Sequence, residues 1–377
     1  MKEEDVVKNN DSSGGAQPDI SGDPEGLDVS GESWGEYPLD ELLIRHEHRS
    51  VHEVLRRIDR GSYVMNPDFQ RDFIWPEDKQ SKLIESVIMR IPLPVFYMAE
   101  DDQGRSIVVD GLQRLSTFRN YHGDGFGLRL SDRPELNGLK FSQLPTKFQN
   151  RIEDCNLIFY VIDAKAPERA RLDIFERVNS GEPLTRQQMR NSLFMGKATT
   201  FLREEANSSI FIEATGSSLN RKTMRDREFV NRFCAFRLLG IDKYRGDMDN
   251  YLAESLTYMN QMTDCELLNL SSQFRSGLVN NVQLFDQHAF RRSLVEQERR
   301  TVINASLWDV MSTGLCNYSK DAVLESADDL RLAIWGLLDD EMFVNSISSA
   351  TNDTERVQHR FARTATVFKE ILGAPTD

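Results

Sequence analysis

The hydrophobic pattern of this 377-residue chain changes at about Thr185. Between Leu39 and about residue 180, short apolar runs of strand length alternate with segments of helical periodicity, which predicts helices packed on a small sheet. After Thr185, every long segment has the apolar spacing of an amphipathic helix. These segments are residues 187–206, 226–240, 249–262, 296–313, 321–337 and 354–372. The pattern therefore predicts an α+β domain over residues 39–184 and an all-helical domain over residues 185–377.

The apolar spacing also predicts the elements of the first domain. Three amphipathic helices are predicted, at residues 51–58, 83–91 and 168–178. Three apolar runs have the length and composition of strands, at residues 95–98, 107–109 and 157–162. The last of them is uniformly apolar, which is typical of a central strand.

Most of the net negative charge lies at the N-terminal end of the sequence. Residues 1–41 hold 12 acidic and 2 basic residues, a net charge of −10, and the remaining 336 hold 48 acidic and 44 basic residues, a net charge of −4. Residues 1–38 are rich in Gly, Ser, Asp and Glu without apolar periodicity, which predicts a disordered acidic tail. Such a tail is either solubilising or an interaction arm. The nearly balanced remainder does not indicate a strongly basic DNA-binding surface, although it allows a local basic patch.

A strand-to-helix turn with the sequence Asp-Gly-Leu-Gln-Arg-Leu begins at Asp110, directly after the strand predicted over residues 107–109. This composition suits phosphate binding, because glycine lets the backbone approach a ligand, a helix N-terminus supplies N–H donors and arginine is a bidentate donor. The alternative is a tight turn in which Asp110 caps the helix and Arg114 forms an ion pair on the surface. These six residues alone do not decide between the two interpretations.

Two further segments combine polar side chains with proline or glycine. Residues 66–76 read Asn-Pro-Asp-Phe-Gln-Arg-Asp-Phe-Ile-Trp-Pro, and residues 174–181 read Ile-Phe-Glu-Arg-Val-Asn-Ser-Gly. Together with the turn at residues 110–115, these motifs resemble the N-terminal domain of GmrSD-type modification-dependent restriction enzymes, in the ParB/sulfiredoxin-like superfamily. The resemblance covers about residues 50–195. It implies a small mixed sheet and a nucleotide-binding, NTP-hydrolysing module of an anti-phage system.

The resemblance also implies a polar nucleotide site at the end of the sheet. Its catalytic residues are expected to be Asp110 and Arg114, with Asp110 either holding Mg²⁺ or orienting the hydrolytic water. The expected nucleotide-binding residues are Gln70, Arg71, Gly111, Gln113, Arg177 and Asn179. From the residues alone, Arg71 is equally well explained as a salt-bridged structural arginine, and Asn179 as part of a helix C-cap.

Motifs of several other site classes are missing from the sequence. It contains no Gly-x4-Gly-Lys-Ser/Thr loop, and its closely spaced glycines have the wrong spacing for a dinucleotide site. The four cysteines are far apart, which favours buried, reduced thiols in a cytoplasmic protein over zinc sites or disulfides. No haem site is expected, and no apolar run approaches the roughly 20 residues that a transmembrane helix needs.

Two hypotheses for function follow. The first is an NTP-hydrolysing module of a restriction system, and the second is a non-hydrolysing DNA-binding or adaptor protein on the same scaffold. The six histidines form no His-Asn-His arrangement, whereas the resembled restriction enzymes carry a separate nuclease domain of that type. Nuclease activity is therefore not expected from this chain alone, and a partner effector or nuclease protein, DNA and self-association are its expected interactions.

Overall fold

The computed structural model describes residues 24–27, 44–65, 75–101, 103–166, 171–172, 174, 185–293 and 300–374. Of the predicted acidic tail, only residues 24–27 are described, and they bind the helical half of the protein. Glu25 forms a parallel bridge with Asn304, and the Gly26 carbonyl accepts a hydrogen bond from Thr351 Oγ1 at 2.6 Å. The helical half therefore provides hydrogen-bond partners for the backbone of Glu25 and Gly26, and the disorder of the tail as a whole stays a prediction.

The five strands in the described part of the chain form one mixed sheet, ordered β1-β5-β3-β4-β2. They are β1 Ile44–Ser50, β2 Tyr63–Val64, β3 Phe96–Glu100, β4 Ser106–Asp110 and β5 Asn156–Ile162. β3 is antiparallel to β4 and parallel to β5. The C-terminal end of β4 and the N-terminal end of β3 consequently meet at the same edge of the sheet.

The three predicted strands are confirmed as β3, β4 and β5, and β5 has a neighbouring strand on each side. β5 is not buried on both faces, however, since Ile158 is 38% exposed. The alternating residues Leu157 and Phe159 enter the core under the helices, as the two-residue period of a strand requires. Uniform apolarity therefore predicted both the strand and its position between two other strands correctly.

Helices cover one face of the sheet. They are α1 Val51–Asp59, α2 Glu77–Ile88, α3 Leu112–His122 and α4 Thr146–Glu153. α1 begins where Ser50 accepts a hydrogen bond from the Glu53 N–H, which satisfies one free donor of the first turn. The core between these helices and the sheet includes Ile84, Leu115 and Phe159, each fully buried.

The C-terminal half is helical, as predicted, and packs around the buried Trp308. Its helices are α5 Arg186–Leu193, α6 Lys197–Ala206, α7 Ser209–Thr215, α8 Arg225–Leu238, α9 Met248–Gln261, α10 Asp264–Phe285, α11 Ala305–Leu315, α12 Lys320–Glu325, α13 Ala327–Asp339, α14 Glu341–Ser348 and α15 Thr354–Leu372. Part of the helix predicted over residues 296–313, residues 296–299, lies outside the described residues. Residues 300–304 are not helical, and α11 begins at Ala305, where the Asn304 side chain caps it by accepting the Leu307 N–H at 3.0 Å.

Two whole-chain expectations concern cysteines and membranes. Cys234 and Cys316 are buried thiols and Cys155 is half-buried, but Cys265 is exposed, so the prediction of buried thiols is wrong there. Cys265 lies in the first turn of α10, next to Asp264, which is itself largely exposed. None of the described helices combines the length and the apolar character needed to cross a membrane.

Candidate functional site

The turn between β4 and α3 is built around Gly111. Its φ of +101° lies in the region that residues with a side chain rarely adopt. A Cβ atom at this position would overlap the ring of Phe96, the first residue of β3. Packing inside the protein therefore requires this glycine, and the close approach of a ligand at Gly111 stays a prediction.

We expect Gly111→Ala to lower the free energy of unfolding by about 2–5 kcal/mol, because a left-handed backbone cost adds to the overlap with Phe96. The matched control is Gly138→Ala, since Gly138 also has a positive φ (+83°) but nothing within 4 Å of the added methyl group. The control should lose about 1–2 kcal/mol. Urea unfolding measures both losses, and equal losses would contradict the overlap with Phe96.

Arg114 is buried against the same ring. Its side chain is 10% exposed, and its guanidinium carbon lies 4.2 Å from the centre of the Phe96 ring. Nη2 donates to Asp110 Oδ2 at 2.6 Å and to the Val95 carbonyl at 3.1 Å, and Nη1 donates to the Pro94 carbonyl at 2.5 Å. Burial lowers the pKa of Arg114, and the Asp110 carboxylate opposes this shift. The predicted alternative of a surface ion pair is therefore wrong: Arg114 joins the start of β3 to the end of β4 from inside.

Asp110 is the last residue of β4, and one of its carboxylate oxygens is not used by Arg114. Its side chain is 34% exposed, and no residue that the structure describes donates a hydrogen bond to Oδ1. The predicted alternative role as a helix cap is wrong, because Gly111 is the N-cap residue of α3 and provides no side chain to cap it. Among the residues that the structure describes, no side chain caps the N–H groups in the first turn of α3. A partly exposed carboxylate oxygen lies directly before an uncapped helix N-terminus.

Gln113 holds the C-terminal end of the motif at residues 66–76. Its Oε1 accepts the backbone N–H of Trp75 at 3.1 Å. The Trp75 ring packs at the border of the core, with Lys79 Nζ 4.3 Å from its ring centre. The Gln113 side chain therefore contacts the protein itself and positions the chain that precedes α2.

Both ends of residues 66–74 approach this turn. β2 is parallel to β4, so the chain leaves β2 towards the end of β4 where the turn begins. At the other end of the segment, Trp75 is held by α3. The segment contains Gln70 and Arg71, two of the predicted nucleotide-binding residues, which lie outside the described residues.

The motif at residues 174–181 is also flanked by described residues close to β4. Ile174 is the last described residue before residues 175–184. It packs against a small hydrophobic cluster, separate from the main core, that includes Val109 of β4 and Met189 of α5. α5 begins directly after the segment. The predicted ligands Arg177 and Asn179 belong to this segment and lie outside the described residues. The described flanks of all three motifs thus lie around β4 and its turn.

The polar helix α5 connects this region with the helical half, and the sequence did not reveal that role. Arg190 is 1% exposed, and its guanidinium donates to Asp249 Oδ1 at 2.5 Å and to Gln187 Oε1 at 3.1 Å. Gln188 Nε2 donates to the Lys222 carbonyl at 2.8 Å. The segment has few apolar residues, so polar contacts, some of them to distant partners such as Asp249 and the Lys222 carbonyl, account for its burial.

This region of the chain matches a known protein family. Residues 51–195 match the family described as GmrSD restriction endonuclease, N-terminal domain. The matched range contains strands β2 to β5, helices α1 to α5 and all three motifs. No curated protein matches the chain. Residues 51–195 therefore carry a domain of the GmrSD N-terminal family, as the three motifs predicted.

Proposed function

We propose that this protein is a component of a restriction system active against phage, and that its N-terminal domain binds and hydrolyses an NTP at the turn between β4 and α3. The family match supports the first part. One observation supports the second: the Asp110 Oδ1 atom lies directly before an uncapped helix N-terminus, with the described flanks of the other two motifs around it. Helix N-termini favour phosphate groups because their N–H donors point outwards. DNA cleavage would come from a partner nuclease.

In this proposal Arg114 is a positioning residue. Its Nη1 atom donates to the Pro94 carbonyl, and its Nη2 atom donates to Asp110 and to the Val95 carbonyl, so the guanidinium already has three acceptors within the protein. The phosphate-binding cations would be Arg71 and Arg177, and Gln70 and Asn179 would add neutral hydrogen bonds. Arg114 would hold the Asp110 carboxylate in one orientation while leaving its Oδ1 atom free to act.

The described residues offer a Mg²⁺ ion one carboxylate ligand at this site. Among the described residues, no group of three or more His, Cys, Asp and Glu side chains could hold a metal ion. A single carboxylate is nevertheless a usual contribution to a Mg²⁺ site whose other ligands are phosphate oxygens and water. Asp110 Oδ1 would be that ligand, and the ion would neutralise charge on the bound phosphates.

We expect isothermal calorimetry to detect binding of Mg·ATP or Mg·GTP to the unchanged protein. Arg71→Gln should weaken that binding about 10- to 100-fold, the effect of one lost charge-assisted hydrogen bond. The matched control is Arg56→Gln, since Arg56 is an exposed residue of α1 and should leave binding unchanged. Absence of binding by any NTP at millimolar concentration, or equal weakening in both variants, would overturn the proposal.

A further inference from the structure

A separate cavity of about 610 Å³ opens between the end of α2, the chain leading to β3, and α4. Its volume lies within the range of pockets that hold small organic ligands. The apolar part of the wall consists of Val87, Ile91, Pro92 and Leu93. Cys155, which precedes β5, contributes a half-buried thiol. The cavity can therefore receive a ligand with an organic body as well as a charged group.

The charged part of the wall is mostly cationic. Arg90, Lys147 and Arg151 line the cavity together with a single acidic residue, Asp154. Eight of the twelve arginines described between residues 44 and 166 form ion pairs. Within the described chain, none of the three cavity cations forms one. Three cations without a carboxylate partner around one cavity create a positive site that an anion would complement.

Arg90 occupies a backbone position that normally favours glycine. It follows the C-cap of α2 with φ +61°, and its N–H donates to the Val87 carbonyl at 2.9 Å. Glycine is the common residue at this left-handed position after a helix, because it has no Cβ to strain the backbone. Here the position carries a guanidinium that lines the cavity instead. The strained backbone is consistent with a function for the side chain.

We propose that this cavity binds an organic phosphate of about mononucleotide size, with its phosphate on Arg90, Lys147 and Arg151 and its organic body on the apolar wall. Arginine and lysine side chains bind phosphate through charge-assisted hydrogen bonds. Arg151 is held in place because its Nη1 donates to the Ile88 carbonyl at 3.0 Å. This inference does not depend on NTP hydrolysis at Asp110.

Modification of Cys155 by a maleimide reports occupancy of the cavity. Cys265→Ser removes the exposed thiol, and Cys234 and Cys316 are buried, so Cys155 becomes the thiol that reacts. Burial raises the pKa of Cys155, so the reaction is followed at alkaline pH, where more of the thiolate forms. AMP is the probe, adenosine is the control without phosphate, and a short single-stranded oligonucleotide tests whether the phosphate comes from a nucleic acid strand.

AMP or the oligonucleotide should slow the modification at concentrations where adenosine does not. Arg90→Gly and Lys147→Gln should each raise the protecting concentration about tenfold, as expected for one lost charge-assisted hydrogen bond. Arg90→Gly should also be at least as stable as the unchanged protein, which excludes misfolding as the cause. Lys243→Gln, at an exposed site in the helical half, and Arg71→Gln should keep full protection. Equal protection by adenosine, no protection by either phosphate, or unchanged protection in the cavity variants would overturn the proposal.

Discussion

Replacing Asp110 with asparagine is expected to lower the rate of NTP hydrolysis by about 10²- to 10⁴-fold, the contribution of a positioned general base. Asparagine keeps the shape of the side chain and can still accept a hydrogen bond from Arg114. It removes the charge that would orient the hydrolytic water or hold Mg²⁺ through Oδ1. Conversion of NTP to product in chemically quenched single-turnover reactions measures the change, because quenching counts bound and released product alike and the observed rate does not wait for product release.

The matched control for this experiment is Asp101→Asn. Asp101 forms the same kind of ion pair, with an arginine four residues later: its Oδ2 lies 2.8 Å from Arg105 Nε at the opposite end of the β3–β4 hairpin. The control should hydrolyse NTP at the unchanged rate. Thermal unfolding of both variants reveals any loss of fold, since Asp110→Asn leaves the buried Arg114 without its carboxylate partner. Hydrolysis by a folded Asp110→Asn variant at the unchanged rate would remove Asp110 from the chemistry.

Elements with a clear apolar period were predictable from the sequence, and elements held by charges were not. β1 went unpredicted because it reads Ile-Arg-His-Glu-His-Arg-Ser and has no apolar run. Its charged side chains are paired with one another and with side chains from other strands of the sheet: Arg45 Nη2 lies 2.8 Å from Glu100 Oε2 of β3, beyond the intervening β5. Such partners are known only once the sheet has formed, so a pattern based on hydrophobicity cannot reveal the strand.

The candidate site also has one feature that could be predicted from the sequence and one that could not. Asp110 and Arg114 lie four residues apart at a helix start, so their proximity could be predicted from the sequence. The burial of Arg114 could not, because it depends on the Pro94 and Val95 carbonyls, 20 and 19 residues away. The sequence therefore identified the residues of the turn, whereas the tertiary structure was needed to find the buried contacts of Arg114 on which its proposed positioning role rests.

The second large effect is expected in the helical half, where Asp309→Asn should lower the free energy of unfolding by about 3–5 kcal/mol, the usual cost of leaving buried charges unpaired. Asp309 is fully buried, and its two oxygens lie 2.8 and 2.6 Å from Arg232 Nε and Nη2. Arg360 Nη2 approaches Oδ2 at 3.4 Å. Burial and the neighbouring Arg232 charge lower the pKa of Arg360, which indicates that this charge is costly even with Asp309 present. Asparagine would leave two buried cations without an anion among them.

Thermal unfolding tests this, with an expected decrease in Tm of about 6–20 °C for a domain of this size. Asp328→Asn is the control: that side chain is 98% exposed in its pair with Arg331, and the change should cost at most about 1 kcal/mol. The triple variant R232M/D309L/R360M separates charge from packing, because apolar side chains of similar volume need no counter-charge and should recover most of the loss. The triple variant could instead unfold at as low a temperature as Asp309→Asn. The loss of stability would then come from the lost contacts of these three side chains between α8, α11 and α15, and not from unpaired charge.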